Sequence, residues 1–354
     1  MSNQIDPHPE SPSDSEKEAL RTLVRSIVLA QGNVFIKELL RKKKITIGST
    51  KADFESNLLK AIDDGKLRQA DVEEWLREFE GWGNQHVYLY HVPEVIARDS
   101  IWASSDKILE RLRGAGMQSL WNAQVSVEFP EERRLTGVYF KDDTLQFVWH
   151  QRETDWVRTP DRDRDEDWEG DHYQMRAYRE RADRTVMRFE MRLRLRLAAA
   201  FLQIPWSKKI HEDALKEINT AIKPLLSLHP RNRFNTASAI KGLDEAELKS
   251  SQSNRAIVTA QRTRLNDAAA YVEFGTSSEQ GIFKDSEAVR QVRRAVRPSR
   301  FEGTTGAFFY QPDQSDEDRK VKIELFGSQR RIRVWSQLSA TQVWTILELL
   351  GNYG

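Results

Sequence analysis

The hydrophobic positions change period along the chain, and each change marks an element. Leu20, Leu23, Val24, Ile27 and Val28 recur at three- and four-residue spacing through residues 16–30, which predicts a helix with one apolar face. A second helix is predicted over 33–44, a third over 50–62, and a fourth over 70–80 through Val72, Trp75, Leu76 and Phe79. Thr50 with Asp53 three residues later is a capping-box-like start for the third, and Gly65 is its stop. Gly81, Trp82 and Gly83 break the pattern before the strand-like run 85–91, closing a small helical domain.

Beyond it the pattern is mixed. Residues 105–114 predict a short helix ended by glycine. The β-rich runs 134–141 and 144–152 flank Asp142 and Asp143, a hairpin signal. The stretch 161–171 is almost wholly Asp, Glu and Arg around Trp168 and reads as a solvated loop. From 187 to 197, Met187, Phe189, Met191, Leu193, Leu195 and Leu197 alternate with Arg188, Glu190, Arg192, Arg194 and Arg196. Period two makes this one strand with its arginines on one face.

Helices are then predicted over 207–228, kinked at Pro224, and over 235–250. A strand follows at 268–274, then a helix at 286–296 whose polar side carries Arg290, Arg293, Arg294 and Arg297, with Arg300 beyond it. Strands at 321–326 and 330–335 are joined by Gly327, Ser328 and Gln329, and a last helix opens at Ser339 with Gln342 in the capping-box position. No internal repeat of 20–50 residues is present. The expected fold class is α+β: a disordered leader over 1–15, a small helical domain over 16–83, an α+β domain over 84–205, a helical segment over 206–265 and a C-terminal α+β unit over 266–354.

Composition narrows the chemistry. The 354 residues hold 55 Lys and Arg against 54 Asp and Glu, a net charge of +1 that excludes a simple polycation. No apolar run approaches the ~18 residues of a membrane helix, and the acidic, Ser/Pro-bearing leader lacks the apolar block of a signal peptide, so a cytoplasmic protein is expected. The absence of Cys excludes disulfides, thiolate zinc sites and a cysteine nucleophile. Arginine supplies 36 of the 55 cations, many in a few stretches.

One such stretch is the run from Phe35 to Phe54, continuing to Leu58, Leu59 and Ile62. Leu39 and Leu40 form an apolar face ahead of Arg41, Lys42, Lys43 and Lys44; Ile45 is an apolar turn residue; Gly48, Ser49 and Thr50 form a small-residue loop; Lys51, Asp53 and Phe54 open the next helix. This pattern resembles the SAP motif, two short helices joined by an extended turn. Two positions depart from it: Lys44 stands where the family usually has Gly, and the loop glycine, Gly48, precedes its usual place at Ser49. The resemblance implies duplex DNA as partner.

Charge placement points the same way. Four consecutive cations exceed what a helix C-terminus needs, and Lys51 sits at a helix N-terminus, where free N–H groups favour a phosphate oxygen. The expected interface is Lys37, Arg41, Lys42, Lys43, Lys44, Gly48, Ser49, Thr50 and Lys51, with Arg192, Arg194 and Arg196 as a second basic face when they are not simply ion-paired with Glu190 and its neighbours. Phosphate contacts position a protein without reading sequence, so weak sequence preference is expected.

His86 and His91 lie on opposite faces of their strand and read as structural, Trp75, Trp335 and Trp344 as core, and loop Trp82 and Trp168 as packed residues or as exposed aromatics that stack on a base or anchor a protein partner. Glu247-Leu-Lys249 has the letters of a nuclease motif but a helical pattern, and no glycine-rich phosphate loop appears. The order of elements is similar to that of the centromere protein CENP-N, without a shared motif. The function expected is non-enzymatic binding of duplex DNA, with no cofactor, metal or catalytic residue. The alternatives are a protein-interaction subunit of a genome-maintenance or mobile-element defence complex, and a metal-dependent nuclease; a protein partner or a homodimer is a further possible association.

Overall fold

The structure is a computed structural model that describes residues 14–30, 33–124, 130–249, 256–265, 271–275, 286–296, 301–310, 321–336 and 338–353. Its helices are α1 (Asp14–Ala30), α2 (Asn33–Lys42), α3 (Lys51–Asp63), α4 (Gln69–Phe79), α5 (Glu94–Ala97), α6 (Ser105–Gly114), α7 (Lys208–Ile222), α8 (Thr236–Lys249), α9 (Glu287–Val296) and α10 (Ala340–Gly351). Its strands are β1 (Gln85–His91), β2 (Arg134–Lys141), β3 (Thr144–Arg158), β4 (Arg164–Trp168), β5 (Asp171–Met175), β6 (Tyr178–Arg192), β7 (Leu197–Leu202), β8 (Ala256–Leu265), β9 (Tyr271–Gly275), β10 (Phe301–Tyr310), β11 (Val321–Phe326) and β12 (Arg331–Val334). The class is α+β, with helices leading a sheet-rich region. Among the described residues no helix is long and apolar enough to cross a membrane. The leader expected over 1–15 lies outside the described residues as far as position 13.

The described residues divide into two compact units, one built from 14–30, 33–80 and 155–183, the other from the remainder. In the first, α1 to α4 bury the residues that the helical period selected, among them Val24, Ile36, Leu40, Phe54, Leu58 and Val72. The run 161–171 is not a loop. β4 and β5 pair antiparallel through a turn in which Glu169 and Gly170 have positive φ, and every residue of both strands is exposed. Sequence pattern missed this hairpin because neither of its faces is buried.

The second unit is a ten-stranded sheet ordered β2-β3-β6-β7-β1-β12-β11-β10-β8-β9. Segments 84–205, 206–265 and 266–354 all contribute strands to it, so they share one sheet. One face buries Val87, Leu89, Phe201, Phe308 and Ile332 against α8 and α10. The other buries Tyr88, Phe147, Phe189 and Met191 against α6 and α7. β7 passes between both layers with all six residues buried.

Several expectations change here. The alternating strand stops at Arg192; Leu193 to Arg196 form a turn, with Arg196 at φ +53°, and β7 returns antiparallel to β6. Arg194 and Arg196 are therefore hairpin residues and share no strand face with Arg192. α7 ends at Ile222 and Pro224 lies outside it, so there is no kinked helix. Trp82 is fully buried, edge-on to Phe201 at 4.8 Å with the Arg188 guanidinium 4.3 Å from its ring centroid, which excludes it as an exposed stacking residue. Trp335 is the reverse case, 48% exposed where core packing was expected. Of the arginines expected along α9, Arg297 and Arg300 lie outside the described residues.

Candidate functional site

In the first unit, α2 ends in two hydrogen bonds that wrap the chain back: the Ile45 N–H donates to the Leu40 carbonyl at 2.8 Å and the Lys44 N–H to the Arg41 carbonyl at 3.0 Å. This is the Schellman pattern, which requires a left-handed residue at the second donor position. That residue is Lys44, at φ +53°. α3 ends in the same way at Gly65, φ +69°, with Lys66 donating to Ala61 and Gly65 to Ile62. Where α3 uses the cheaper glycine, α2 uses a lysine.

The loop has its own logic. Thr50 caps α3: its Oγ1 accepts from the Asp53 N–H at 3.2 Å, while Asp53 Oδ2 accepts from Thr50 N–H at 2.8 Å and Ser49 N–H at 2.9 Å. The Thr50 and Ser49 amides, and then the Thr50 hydroxyl, hold the Asp53 carboxyl below the usual carboxylate range. The donors expected to meet a phosphate at Ser49 and Thr50 are thus already taken by the protein's own carboxylate. Gly48 has an internal reason as well, since a Cβ there would lie 2.0 Å from Asp53 Cβ.

The cations sort into two groups. Lys43 pairs with Asp71 and Lys42 with Glu74 at 3.6 Å, both on α4. Burial raises Asp71, but the Lys43 ammonium and the Arg68 N–H outweigh it and keep its pKa low. Lys37, Arg41 and Lys44 have no carboxylate within ion-pair distance among the described residues; Lys37 lies 5.9 Å from the Phe54 ring centroid. Lys37 and Arg41 are one helical turn apart, and Arg41, Lys44 and Lys51 are exposed. The expected cluster is therefore present but narrower than its count of positive charges.

The second expected basic face is not assembled. Arg192 pairs with the buried Glu190 at 3.0 Å and stacks 4.4 Å from the Trp344 ring centroid, Arg194 pairs with Asp143 at 2.7 Å, and Arg196 with Glu94 at 3.7 Å. Each has a separate carboxylate and a separate setting.

A second polar site lies wholly within the sheet unit and was not anticipated. β12 places Arg331 and Arg333 on one face with Ile332 and Val334 on the other, and its register sets His86 of β1 opposite Arg333. Here the apolar cover over that face of the sheet gives way to a pocket of about 700 Å³, lined in part by Asn84, His86, Trp206, Arg331, Arg333 and Trp335. Arg331 is 3% exposed, with its guanidinium 4.1 Å from the Trp206 ring centroid and 3.9 Å from that of Phe326. It donates from Nε to Gln329 Oε1 at 2.8 Å and from Nη1 to His86 Nδ1 at 2.5 Å. Arg333 donates to the Asn84 side-chain oxygen and lies 4.8 Å from the Trp335 ring centroid.

Burial, with Arg333, Arg331 and His211 adding to it, depresses His86 to about 2, so its imidazole is neutral. Because Nδ1 accepts from Arg331, the proton resides on Nε2. Behind it, Tyr88, raised by burial to about 12, keeps its hydroxyl proton and meets His211 Nδ1 at 2.8 Å. His211 is lowered to about 4, chiefly by burial, against the opposing carbonyls of Ile204 and Pro205. Burial also lowers Arg331 to about 10, which leaves it charged at neutral pH. The signal for this site was the Arg331-Ile-Arg333 alternation beside Trp335, legible as a strand but not as half of a pocket.

Among the described residues no group of three or more His, Asp and Glu has metal-binding geometry. No protein-family model matches the chain, and no curated protein matches it significantly.

Proposed function

We propose that the protein binds duplex DNA through α2, the 45–50 turn and α3, contacting the phosphate backbone without a catalytic step. The observation that supports this reading is the set Lys37, Arg41 and Lys44: three cations along α2 and the turn that follows it, with no carboxylate partner among the described residues, next to two that α4 neutralises. At a left-handed φ a non-glycine residue is strained by about 1–2 kcal/mol, and a structural role alone is better served by glycine. Lys42, Lys43, Ser49 and Thr50 belong to the scaffold in this reading, and Lys51 to the contact surface. Such contacts bring affinity and strong salt dependence, but no base readout.

The test is fluorescence anisotropy of a labelled duplex across a salt series. A Lys37/Arg41/Lys44→Gln variant is expected to lower the slope of log affinity against log salt by about 2.7, from ~0.9 per phosphate contact, while Lys42→Gln changes it little. Equal slopes for wild type and the triple variant would refute the proposal.

A further inference from the structure

We infer that the Arg331/Arg333 pocket is a binding site for a nucleoside phosphate, with the phosphate held by the two guanidiniums and the base stacked on an indole. The site rests on residues separate from the DNA-binding proposal. Its first support is charge. Neither Arg331 nor Arg333 has a carboxylate within ion-pair distance among the described residues, and the nearby Glu324 is engaged by Lys322 at 3.1 Å. A buried cation without a counterion is costly unless something compensates it. The neutral partners Gln329, His86 and Asn84 orient both guanidiniums without cancelling their charge, and Glu324, opposite Arg333 on β11, offsets part of it from beyond ion-pair distance. The two side chains keep net positive charge aimed at one cavity, and a phosphate is the anion whose geometry guanidinium forks match. His86 Nε2–H adds a neutral donor.

The second support is aromatic surface. Trp206 and Trp335 line the pocket yet are 40% and 48% exposed, and each carries an arginine against its ring. The arginines are thereby held in place; Lys322 also lies 5.6 Å from the Trp335 centroid and His211 sits edge-on to Trp206 at 4.8 Å, and the exposed remainder of each indole is the surface on which a planar base would stack. At about 700 Å³ the cavity is larger than a bare phosphate needs and lies within the range of small-molecule sites, ~300–1,000 Å³. One carboxylate, Glu153, also lines it. That group disfavours a dense polyphosphate and accepts from a sugar hydroxyl or base N–H.

The same chemistry is offered by a free nucleotide and by the phosphorylated end of a strand. The experiment is calorimetric and tryptophan-fluorescence titration of the full chain with the four nucleoside 5′-monophosphates, the matching nucleosides, inorganic phosphate and a 5′-phosphorylated single-stranded oligonucleotide. A nucleoside monophosphate is expected to bind at least tenfold more tightly than phosphate or nucleoside alone, with a change in indole emission. A monophosphate that binds at least as tightly as the phosphorylated strand supports the free nucleotide; a 5′-phosphorylated strand that binds more tightly than both the monophosphate and its own unphosphorylated form supports a strand end.

Arg333→Gln is expected to weaken nucleotide binding at least tenfold, and Trp335→Ala to weaken nucleotide but not phosphate. The Lys37/Arg41/Lys44→Gln variant keeps pocket binding whether or not it binds duplex, which separates failure here from failure of the DNA proposal. No saturable binding of any monophosphate or of the phosphorylated strand overturns the inference. So does unchanged affinity in both Arg333→Gln and Trp335→Ala.

Discussion

Replacing Lys44 with glycine separates a residue kept for its backbone from one kept for its charge. At φ +53° an L-residue costs about 1–2 kcal/mol relative to the right-handed region. Glycine removes that cost but restores about 0.5–1 kcal/mol of unfolded-chain entropy. The side chain has no ion pair among the described residues, and the Ile45-to-Leu40 and Lys44-to-Arg41 hydrogen bonds depend on the backbone alone. The expected result is a net stabilisation of the first unit by about 0.5–1 kcal/mol. On DNA the same change removes one phosphate contact and lowers the salt slope by about 0.9. Native-state hydrogen exchange at the Ile45 amide reads the stability, and duplex anisotropy reads the slope. Lys44→Asn is the companion, since asparagine tolerates the left-handed region without the charge. Faster exchange in Lys44→Gly would refute the turn argument; an unchanged slope in both variants would remove Lys44 from the interface.

Gly48→Ala places a methyl group 2.0 Å from Asp53 Cβ and should displace the cap of α3, costing at least the ~1 kcal/mol of an N-cap, read by denaturant unfolding. Trp344→Ala empties a fully buried site between Phe201 and Arg192 and should destabilise the sheet unit by about 3–5 kcal/mol in calorimetry. Acidification acts on the same unit through His86 and His211, whose folded pKa values of about 2 and about 4 lie below 6.5. Their contribution is intact above pH 6.5. It falls as pH drops from there towards the folded values, with each imidazole adding at most ~1.4 kcal/mol per pH unit before solvent screening reduces it. A stability difference between wild type and His86→Gln that stays flat from pH 7 to pH 4.5 would show that the His86 ring is not held neutral.

What was legible in the sequence had local causes. The capping boxes at Thr50/Asp53 and Ser339/Gln342 form as their spacing predicts, and Asp142 and Asp143 take φ of +50° and +60° in the β2–β3 turn. β7 was hidden for the opposite reason. Leu197-Ala-Ala-Ala-Phe-Leu202 is buried on both faces, so it carries no alternation of apolar and polar residues. The alternation that did appear ran past Arg192 into a turn, because Leu193 and Leu195 continue the pattern after the backbone leaves the sheet. The pocket is the extreme case: His86 and Arg331 touch across 245 positions, and only the β1–β12 pairing creates their shared face.

Salt distinguishes the two sites, because the same net charge of +1 is distributed differently around each. Arg41, Lys44 and Lys51 are exposed to water, where screening acts over a Debye length of about 8 Å at physiological ionic strength. Duplex binding there should weaken by orders of magnitude between low and moderate salt. Arg331 is nearly buried and its guanidinium is enclosed by Trp206 and Phe326, so mobile ions screen it far less. Nucleotide affinity should therefore fall by less than tenfold over a salt range that abolishes duplex binding. Titrating both ligands into one sample at each salt concentration makes the comparison internal. Parallel loss of the two would mean that the pocket is as accessible to ions as the helix end, contrary to the enclosure that makes its uncompensated charge attractive to a ligand.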